Sequence, residues 1–388
     1  MSTVAEELQT LPFFRRVAAA DVRASAALWS EVALAPGEAL WRQAEAVDEL
    51  GVIVVGELSA TVDGVEVGRV LPGELVGEAS AFFSGMTRSA TLRARGTAQV
   101  LTLSTASLRT LRWQRSAMYD ALLEQAALTL VRRIRSTDVR IAQVARGSAS
   151  APSRAEPSAL VRLWKAFRPG GPSGACPPID PLIRRQPGLK DIDAAVIKAL
   201  AGNFVAEPVE EGQVVFLEGE PGSASYIVAE GQIDVLRHVR GDKAELLASL
   251  KPGDQFGVNT LIERGTRTAS CVAASAGWMY RMDAEAFNKM RGDARMFWRE
   301  SVLAVLGSQI RNANKALHRA MPDDARAAAI ASAPRPASPN AEPDAFQSLL
   351  KASGFLESLP MSESELDSLE VVQTEADRRN PVGKPRMR

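Results

Sequence analysis

The 388-residue sequence contains few cysteines and histidines, on which disulfides and many metal centres and catalytic sites depend. It has two cysteines, Cys176 and Cys271, which lie far apart and lack the spacing of metal ligands. We therefore interpret both as reduced thiols, as expected of a cytoplasmic protein. The two histidines, His238 and His318, have no nucleophile or second ligand beside them, so the sequence does not predict an enzyme.

An excess of one charge is also lacking. The 46 Lys and Arg residues balance the 46 Asp and Glu residues, so the formal net charge is zero. Because nucleic-acid-binding proteins usually carry a basic excess, this balance argues against a nucleic-acid partner. No apolar run is long enough to span a bilayer, and the N-terminal residues do not resemble a signal peptide. We expect a cytoplasmic protein without membrane contact, with two or three domains.

The first part of the chain has a pattern of short strands followed by helix. Between Ser30 and Leu103, turn signals recur at Pro36-Gly37, Val55-Gly56, Asp63-Gly64 and Pro72-Gly73. Many short strands that close on one another are typical of a jelly-roll barrel. After Ser104 the pattern becomes helical, with a heptad seam at Leu123, Ala127, Leu130, Ile134, Thr137, Ile141 and Val144. Such a seam predicts a long helix that pairs with another helix.

The same organisation is repeated from Leu189 onwards. The turns Glu211-Gly212, Glu230-Gly231 and Pro252-Gly253 recur roughly 175–180 residues after their counterparts, and a second seam follows at Leu303, Leu306, Ile310, Ala313 and Leu317. We predict a mainly β fold with helices, made of two jelly-roll barrels, each followed by a long helix. The expected divisions are a first domain over 1–147, a linker rich in Pro, Gly and Ser over 148–188, a second domain over 189–320, and a linker with a partly helical tail over 321–388.

One turn in the first copy has the chemistry of a site for a small anion. Gly77 lets the main chain approach a ligand closely, and free amides at the start of a short helix attract anions. Arg88 can offer a planar fork to a phosphate. Glu78 accepts hydrogen bonds only, so it is suited to the hydroxyls of a ribose.

Gly77-Glu78 followed by Arg88-Ser89-Ala90-Thr91 resembles the phosphate-binding cassette of cyclic nucleotide-binding domains. The spacing between Glu78 and Arg88 is similar to that of bacterial catabolite activator proteins. The resemblance implies that Glu78 holds the ribose 2′-hydroxyl and that Arg88 holds the cyclic phosphate. It assigns the cassette residues Gly77, Glu78, Ala79, Arg88 and Ser89 to a ligand site.

The resemblance extends to the long helix. In catabolite activators, a Thr that matches Thr137 contacts the adenine amine, and the next residue reaches the nucleotide of the partner subunit. The resemblance therefore adds Thr137 and Asp138 to the site. Asp138 departs from the family's Ser, and Ser89 is compatible with either purine, so cAMP is the expected ligand and cGMP stays possible.

The second cassette departs further from the family pattern. Phe256-Gly257-Val258-Asn259 precedes Arg267-Thr268-Ala269-Ser270, so Val258 stands where the ribose-binding Glu is expected. Loss of that acceptor would cost about 1–3 kcal/mol. The candidate residues of this second site are Gly257, Arg267 and Thr268, and we expect a degenerate site.

The leading hypothesis is a cyclic-nucleotide sensor that regulates an unidentified effector protein. A transcription regulator of the catabolite activator type is an alternative, but it requires a helix-turn-helix after the long helix. A kinase regulatory subunit is another alternative, although no inhibitor-like segment precedes the first domain. We interpret Arg132-Arg133 as part of a solvated face. The helices are expected to form a pseudo-dimer within one chain, with Asn314 reaching the nucleotide, or a homodimer through the first helix.

Overall fold

The computed structural model describes residues 3–83, 85–146, 172, 174–238 and 244–320. The predicted tail over 321–388 and most of the predicted linker over 148–188 lie outside these residues. Within the described ranges, no helix has both the length and the apolar character needed to cross a membrane.

The first domain begins with two short helices and continues into eight strands. The helices are α1 (Val4–Thr10) and α2 (Ala19–Ser25), with 3-10 turns at Pro12–Phe14 and Ala26–Leu28. The strands are β1 (Trp29–Leu34), β2 (Ala39–Trp41), β3 (Glu49–Val55), β4 (Leu58–Val62), β5 (Val65–Val70), β6 (Leu75–Val76), β7 (Thr91–Ala94) and β8 (Ala98–Ser104). Helices α3 (Thr105–Trp113) and α4 (Ala117–Arg146) follow. Ser104 caps α3, because its hydroxyl accepts a hydrogen bond from the Ser107 amide at 3.0 Å.

The second domain repeats this order. Its described elements begin with α5 (Ile179–Arg184) and α6 (Ala194–Ala201). The strands are β9 (Val205–Val209), β10 (Val214–Phe216), β11 (Pro221–Gly222), β12 (Ala224–Glu230), β13 (Ile233–His238), β14 (Ala244–Leu250), β15 (Gln255–Phe256), β16 (Gly265–Thr266), β17 (Ser270–Ala273) and β18 (Gly277–Asp283). Helix α7 (Val258–Ile262) follows β15, and α8 (Ala284–Lys289) and α9 (Gly292–Ala320) follow β18.

Each domain contains two four-stranded antiparallel sheets, and the second domain adds a two-stranded sheet of β11 and β16. The strand orders are β1-β8-β3-β6 and β2-β7-β4-β5 in the first domain, and β15-β12-β18-β9 and β10-β17-β13-β14 in the second. Apolar residues of both sheets, such as Ile53 and Leu92, form one buried cluster inside the first domain. The predicted fold class is confirmed, with one difference: the two sheets of a domain remain separate and do not close into a single barrel.

The two long helices pack against each other within the chain. Leu130 and Ile134 of α4 and Leu306 and Ile310 of α9 are buried in one core cluster. Removing an apolar side chain of this size from water stabilises the fold by about 1.5–3 kcal/mol. The residues at the heptad positions therefore meet inside one chain, as in the pseudo-dimer alternative.

Ion pairs between the domains flank this helix pair. The guanidinium of Arg112 donates to both oxygens of Glu300, at 2.6 and 2.9 Å, and the Tyr119 hydroxyl donates to the same carboxylate at 2.6 Å. Arg299 of α9 donates to Glu124 of α4 at 3.1 Å. Because these contacts lie at the side of the shared core, they fix the register of α9 against α4.

Candidate functional site

A cavity of about 180 Å³ lies between the first cassette and both long helices. The cavity is lined by six of the seven residues predicted for the first site, which are Gly77, Glu78, Ala79, Arg88, Ser89 and Thr137. Trp41 and Arg133 also line it, together with Ile310 and Asn314 from α9. The wall of the cavity is thus built from both domains.

Gly77 starts the turn that carries Glu78. Strand β6 pairs with β3 at Gly51 and Val52, and this pairing fixes the point at which the chain turns into the cassette. The φ angle of Gly77 is 80°, and a Cβ atom on it would lie 2.8 Å from Nη1 of Arg88. A residue with a side chain would therefore strain the backbone and collide with the arginine. The position of Gly77 therefore requires a glycine, as the sequence analysis predicted, and the group that lies closest to it in the structure is the Arg88 guanidinium.

Glu78 is buried, with 1% of its surface exposed. Its Oε1 accepts a hydrogen bond from Nη1 of Arg133 at 2.6 Å, whereas its Oε2 has no hydrogen-bond partner. Burial raises the pKa of the Glu78 carboxyl above its ordinary value, and the charge of Arg133 opposes that rise. A buried carboxylate with one oxygen held and the other unpaired is suited to accept a ligand hydroxyl.

Arg88 precedes β7 and lines the cavity. Its Nη1 donates to the Glu49 carbonyl at 2.8 Å and its Nη2 to Asp48 at 2.9 Å, while its Cζ lies 3.5 Å from the centre of the Trp41 ring. Burial lowers the pKa of the guanidinium, and Asp48 opposes this shift. The Nε atom of Arg88 is buried and has no hydrogen-bond partner. The arginine is therefore held in place and keeps a donor for an anion.

Thr137 and Asn314 line the cavity from the two long helices. Thr137 is buried on α4, and Asn314 is buried on α9. Both side chains can donate and accept hydrogen bonds, as recognition of a purine edge requires. The geometry agrees with the prediction that Asn314 reaches the first site from the facing helix.

Asp138 is the one predicted residue of the first site that does not line this cavity. Successive residues on a helix are turned by about 100°, so Asp138 points away from the wall that Thr137 forms. Its electrostatic neighbours are Arg237 and Glu218 of the second domain. Burial raises its pKa to about 6, partly offset by Arg237. The structure therefore does not bring Asp138 into the first cavity: Asp138 faces the second domain, on the side from which the matching residue of catabolite activators reaches the partner's nucleotide.

Arg133 and Trp41 are site residues that the sequence analysis missed. The interpretation of Arg133 as a solvated side chain was wrong, because it donates to Glu78 and, through Nη2, to the Leu75 carbonyl at 3.0 Å. A signal was present in the sequence: Arg133 lies four residues before Thr137 and therefore on the same face of the helix. No pattern in the sequence pairs Trp41 with Arg88.

The second cassette keeps its arginine, but the side chain is already engaged. Nη1 of Arg267 donates to the Ala224 carbonyl at 2.9 Å, the Gly257 carbonyl at 3.0 Å and the Thr260 hydroxyl at 2.6 Å. Its Cζ lies 3.9 Å from the centre of the Phe216 ring. Neighbouring atoms of the same domain thus hold this nitrogen, while Nε of Arg267 is buried without a hydrogen-bond partner, as it is in Arg88.

The second domain has also lost both members of the Glu78–Arg133 pair. Val258 replaces the glutamate and is buried in the core. Ala313 stands at the position of Thr137, so Gln309 stands at the position of Arg133. Thr268 directly follows Arg267 and is half-buried. These substitutions agree with the prediction of a degenerate site.

Comparison with known proteins identifies the two domains. The model of the family described as cyclic nucleotide-binding domain matches residues 31–114 and 206–293. A CRP-like cAMP-activated global transcriptional regulator of Mycobacterium tuberculosis is 28% identical over 139 residues, which are 36% of this chain and 62% of the regulator. A cAMP-dependent protein kinase regulatory subunit of Schizosaccharomyces pombe is 25% identical over 141 residues, which are 36% of this chain and 33% of the subunit.

The matches thus span less than two thirds of these relatives. Among solved structures, the regulatory domain of Toxoplasma gondii PKA with cAMP aligns over 76% of this chain and 94% of that chain, at 17% identity and a TM-score of 0.28. The two matched segments coincide with the two pairs of sheets, and the cavity lies at the cassette of the first. The chain therefore carries two cyclic nucleotide-binding domains, over residues 31–114 and 206–293.

Proposed function

We propose that this protein is a regulatory sensor that binds one cAMP molecule per chain in the first-domain cavity and responds by changing its affinity for an effector protein. The observation that carries the proposal is the pair of unused groups on one cavity, Oε2 of Glu78 and Nε of Arg88. An acceptor and a cationic donor on one wall match the ribose hydroxyl and the phosphate of a cyclic nucleotide. Both cysteines are free thiols, in agreement with the cytoplasmic setting that we include in the proposal.

In the proposed complex, the base is directed towards the long helices. Thr137 matches the residue that contacts adenine in catabolite activators, and its hydroxyl can accept from the adenine amine. Asn314 provides a second acceptor from α9. We propose cAMP rather than cGMP on this basis, and the mycobacterial relative is itself named as cAMP-activated.

The proposed response follows from the position of the ligand against both helices. A ligand that touches α4 and α9 favours the helix packing that completes its site, and this differential contact shifts the conformational equilibrium.

We propose the division of the chain into a first domain over 1–147 and a second domain over 189–320. In the described part of the chain, α4 is followed by the second domain and not by a helix-turn-helix, so we do not propose DNA binding.

The ribose contact can be tested with a chemically matched ligand and variant. In Glu78→Gln, the single amide oxygen can keep the bond to Arg133, which leaves an N–H donor towards the ribose. We expect 2′-deoxy-cAMP to bind the wild-type chain about 10-fold more weakly than cAMP, because one hydrogen bond to a buried charge is lost. Glu78→Gln should bind cAMP more weakly than the wild-type chain and should discriminate less between cAMP and 2′-deoxy-cAMP in calorimetric titrations, because its N–H gives only a neutral hydrogen bond to the hydroxyl.

Glu285→Gln is the matched control, since Glu285 is exposed and pairs with Lys289 of the same helix. It should behave as the wild-type chain. Equal affinity of the wild-type chain for the two nucleotides would contradict the assignment of the ribose to Glu78. No binding of either nucleotide would contradict the proposed function.

A further inference from the structure

Three arginines in one turn of α4 connect the two cassettes. Arg133 holds Glu78 of the first cassette at 2.6 Å. On the other side of the helix, Arg135 donates from Nη1 to Oε2 of Glu263 at 2.7 Å, and Arg132 donates from Nε to Oε1 of Glu263 at 2.9 Å. Glu263 directly follows α7 and precedes Arg267 by four residues, so it belongs to the second cassette.

The helix geometry explains why neighbouring arginines reach different domains. Arg132 and Arg135 are three residues apart and therefore lie on one face of α4. Arg133 is turned by about 100° from Arg132 and by about 160° from Arg135, so it points towards the first domain. We call the contacts of Arg132 and Arg135 with Glu263 the clamp.

The clamp is closely fitted. Both carboxylate oxygens of Glu263 are engaged, and Nη2 of Arg135 also donates to the Glu263 carbonyl at 3.2 Å. A Cβ atom on Gly265 would lie 2.9 Å from Nη2 of Arg135, so only the bare backbone of β16 leaves room for the guanidinium. The Glu263 side chain is 23% exposed, which screens the pair less than a fully solvated one.

We propose that the clamp is the receiving end of a relay from the first-domain ligand site to the segment 258–267 of the second domain. The inference rests on the proposed function, because the relay starts when a ribose hydroxyl donates a hydrogen bond to Glu78. That bond takes up part of the negative charge of the carboxylate, so the ion pair between Glu78 and Arg133 weakens. Arg133 then shifts with α4, and the clamp passes this shift to α7 and the chain that leads to Arg267. Helix shifts of this kind are a common form of allosteric transition.

The position of Ile134 makes α4 move as a unit at this turn. Ile134 lies between the arginines and is buried in the core that α4 shares with α9. Because packed interiors do not deform continuously, the backbone of this helical turn, which carries all three arginines, moves as one piece. The clamp also holds the turn of α4 from which Thr137 lines the cavity, so it favours the arrangement that binds ligand.

The test combines nucleotide affinity with amide hydrogen exchange on the full chain. In the wild-type protein, saturating cAMP should slow exchange in segment 258–267, although Glu263 and Arg135 do not line the cavity. Glu263→Gln should abolish this protection and weaken cAMP binding about 5-fold, because coupling between two sites is reciprocal. Arg135→Gln should reproduce both effects.

Glu285→Gln, an exposed change in the same domain, should keep wild-type affinity and protection. Wild-type behaviour of Glu263→Gln in both measurements would overturn the relay and leave the proposed function unaffected. So would cAMP binding to the wild-type chain without protection of segment 258–267. A wild-type chain that binds no cyclic nucleotide would overturn the proposed function and the relay with it.

Discussion

Replacement of Arg88 by lysine separates the geometry of the guanidinium from its charge. Arg88 lies with its Cζ 3.5 Å from the centre of the Trp41 ring and donates to the Glu49 carbonyl and to Asp48. The Asp48 side chain is 80% exposed, so its carboxylate can turn to solvent when a phosphate approaches. A lysine keeps one positive charge but cannot form a forked pair of bonds.

The expected loss follows from the number of bonds. A hydrogen bond between charged groups contributes about 1.5–3 kcal/mol, and each 1.4 kcal/mol corresponds to a tenfold change in affinity. If Arg88→Lys loses one of two such bonds, cAMP affinity should fall by about 10- to 100-fold. The stacking on Trp41 also weakens, so we expect some loss of thermal stability in addition.

Calorimetric titration with cAMP measures the affinity, and thermal unfolding without ligand shows whether the variant is folded. The matched control is Arg267→Lys, the same change at the equivalent position of the second domain, where Nη1 already bonds to three protein acceptors. It should leave the affinity for cAMP unchanged. Unaltered affinity in a folded Arg88→Lys, or an equal loss in Arg267→Lys, would refute the assignment of the phosphate to Arg88.

The other predictions concern the helix pair. The pKa of Asp138 rises from 3.8 to about 6 on folding, so the folded chain binds the proton more tightly and stability falls as pH rises through this interval. In urea unfolding, Asp138→Asn should therefore stabilise the protein by up to about 3 kcal/mol at pH 7.5 and by little at pH 4. Equal effects at both pH values would contradict this prediction. Asn314→Ala should weaken cAMP binding about 5-fold in titrations, whereas unchanged affinity would exclude α9 from the base contact. Light scattering should give the mass of one chain, and a stable dimer that Ile134→Asp dissociates without unfolding would contradict the intrachain helix pair.

Local patterns in the sequence were enough to predict the two-domain fold. The turn signals and the heptad seams depend on residues near one another in the chain, and the repeated spacing revealed the duplication. Within the cassette, the close approach of Arg88 to Gly77 agrees with the glycine that the sequence required. Such features are encoded over short distances, so they are readable without a structure.

The contacts between elements were harder to predict. Whether Arg133 faces solvent or Glu78 depends on how α4 is rotated against the first sheet, and a run of adjacent arginines does not specify this rotation. The same rotation decides that Thr137 lines the cavity whereas Asp138 faces the second domain. The clamp at Glu263 joins residues 128 positions apart, and no local pattern indicates it.

The central claim is that the first domain binds a cyclic nucleotide. The second domain supplies part of the wall of that site and binds no nucleotide itself. Calorimetric titration of the full chain with cAMP tests this claim most directly, because it gives the affinity and the number of sites in one measurement. We predict one tight site per chain, since Val258 replaces the glutamate in the second cassette and Ala313 stands at the position of Thr137. Two equivalent tight sites per chain, or none, would contradict the account.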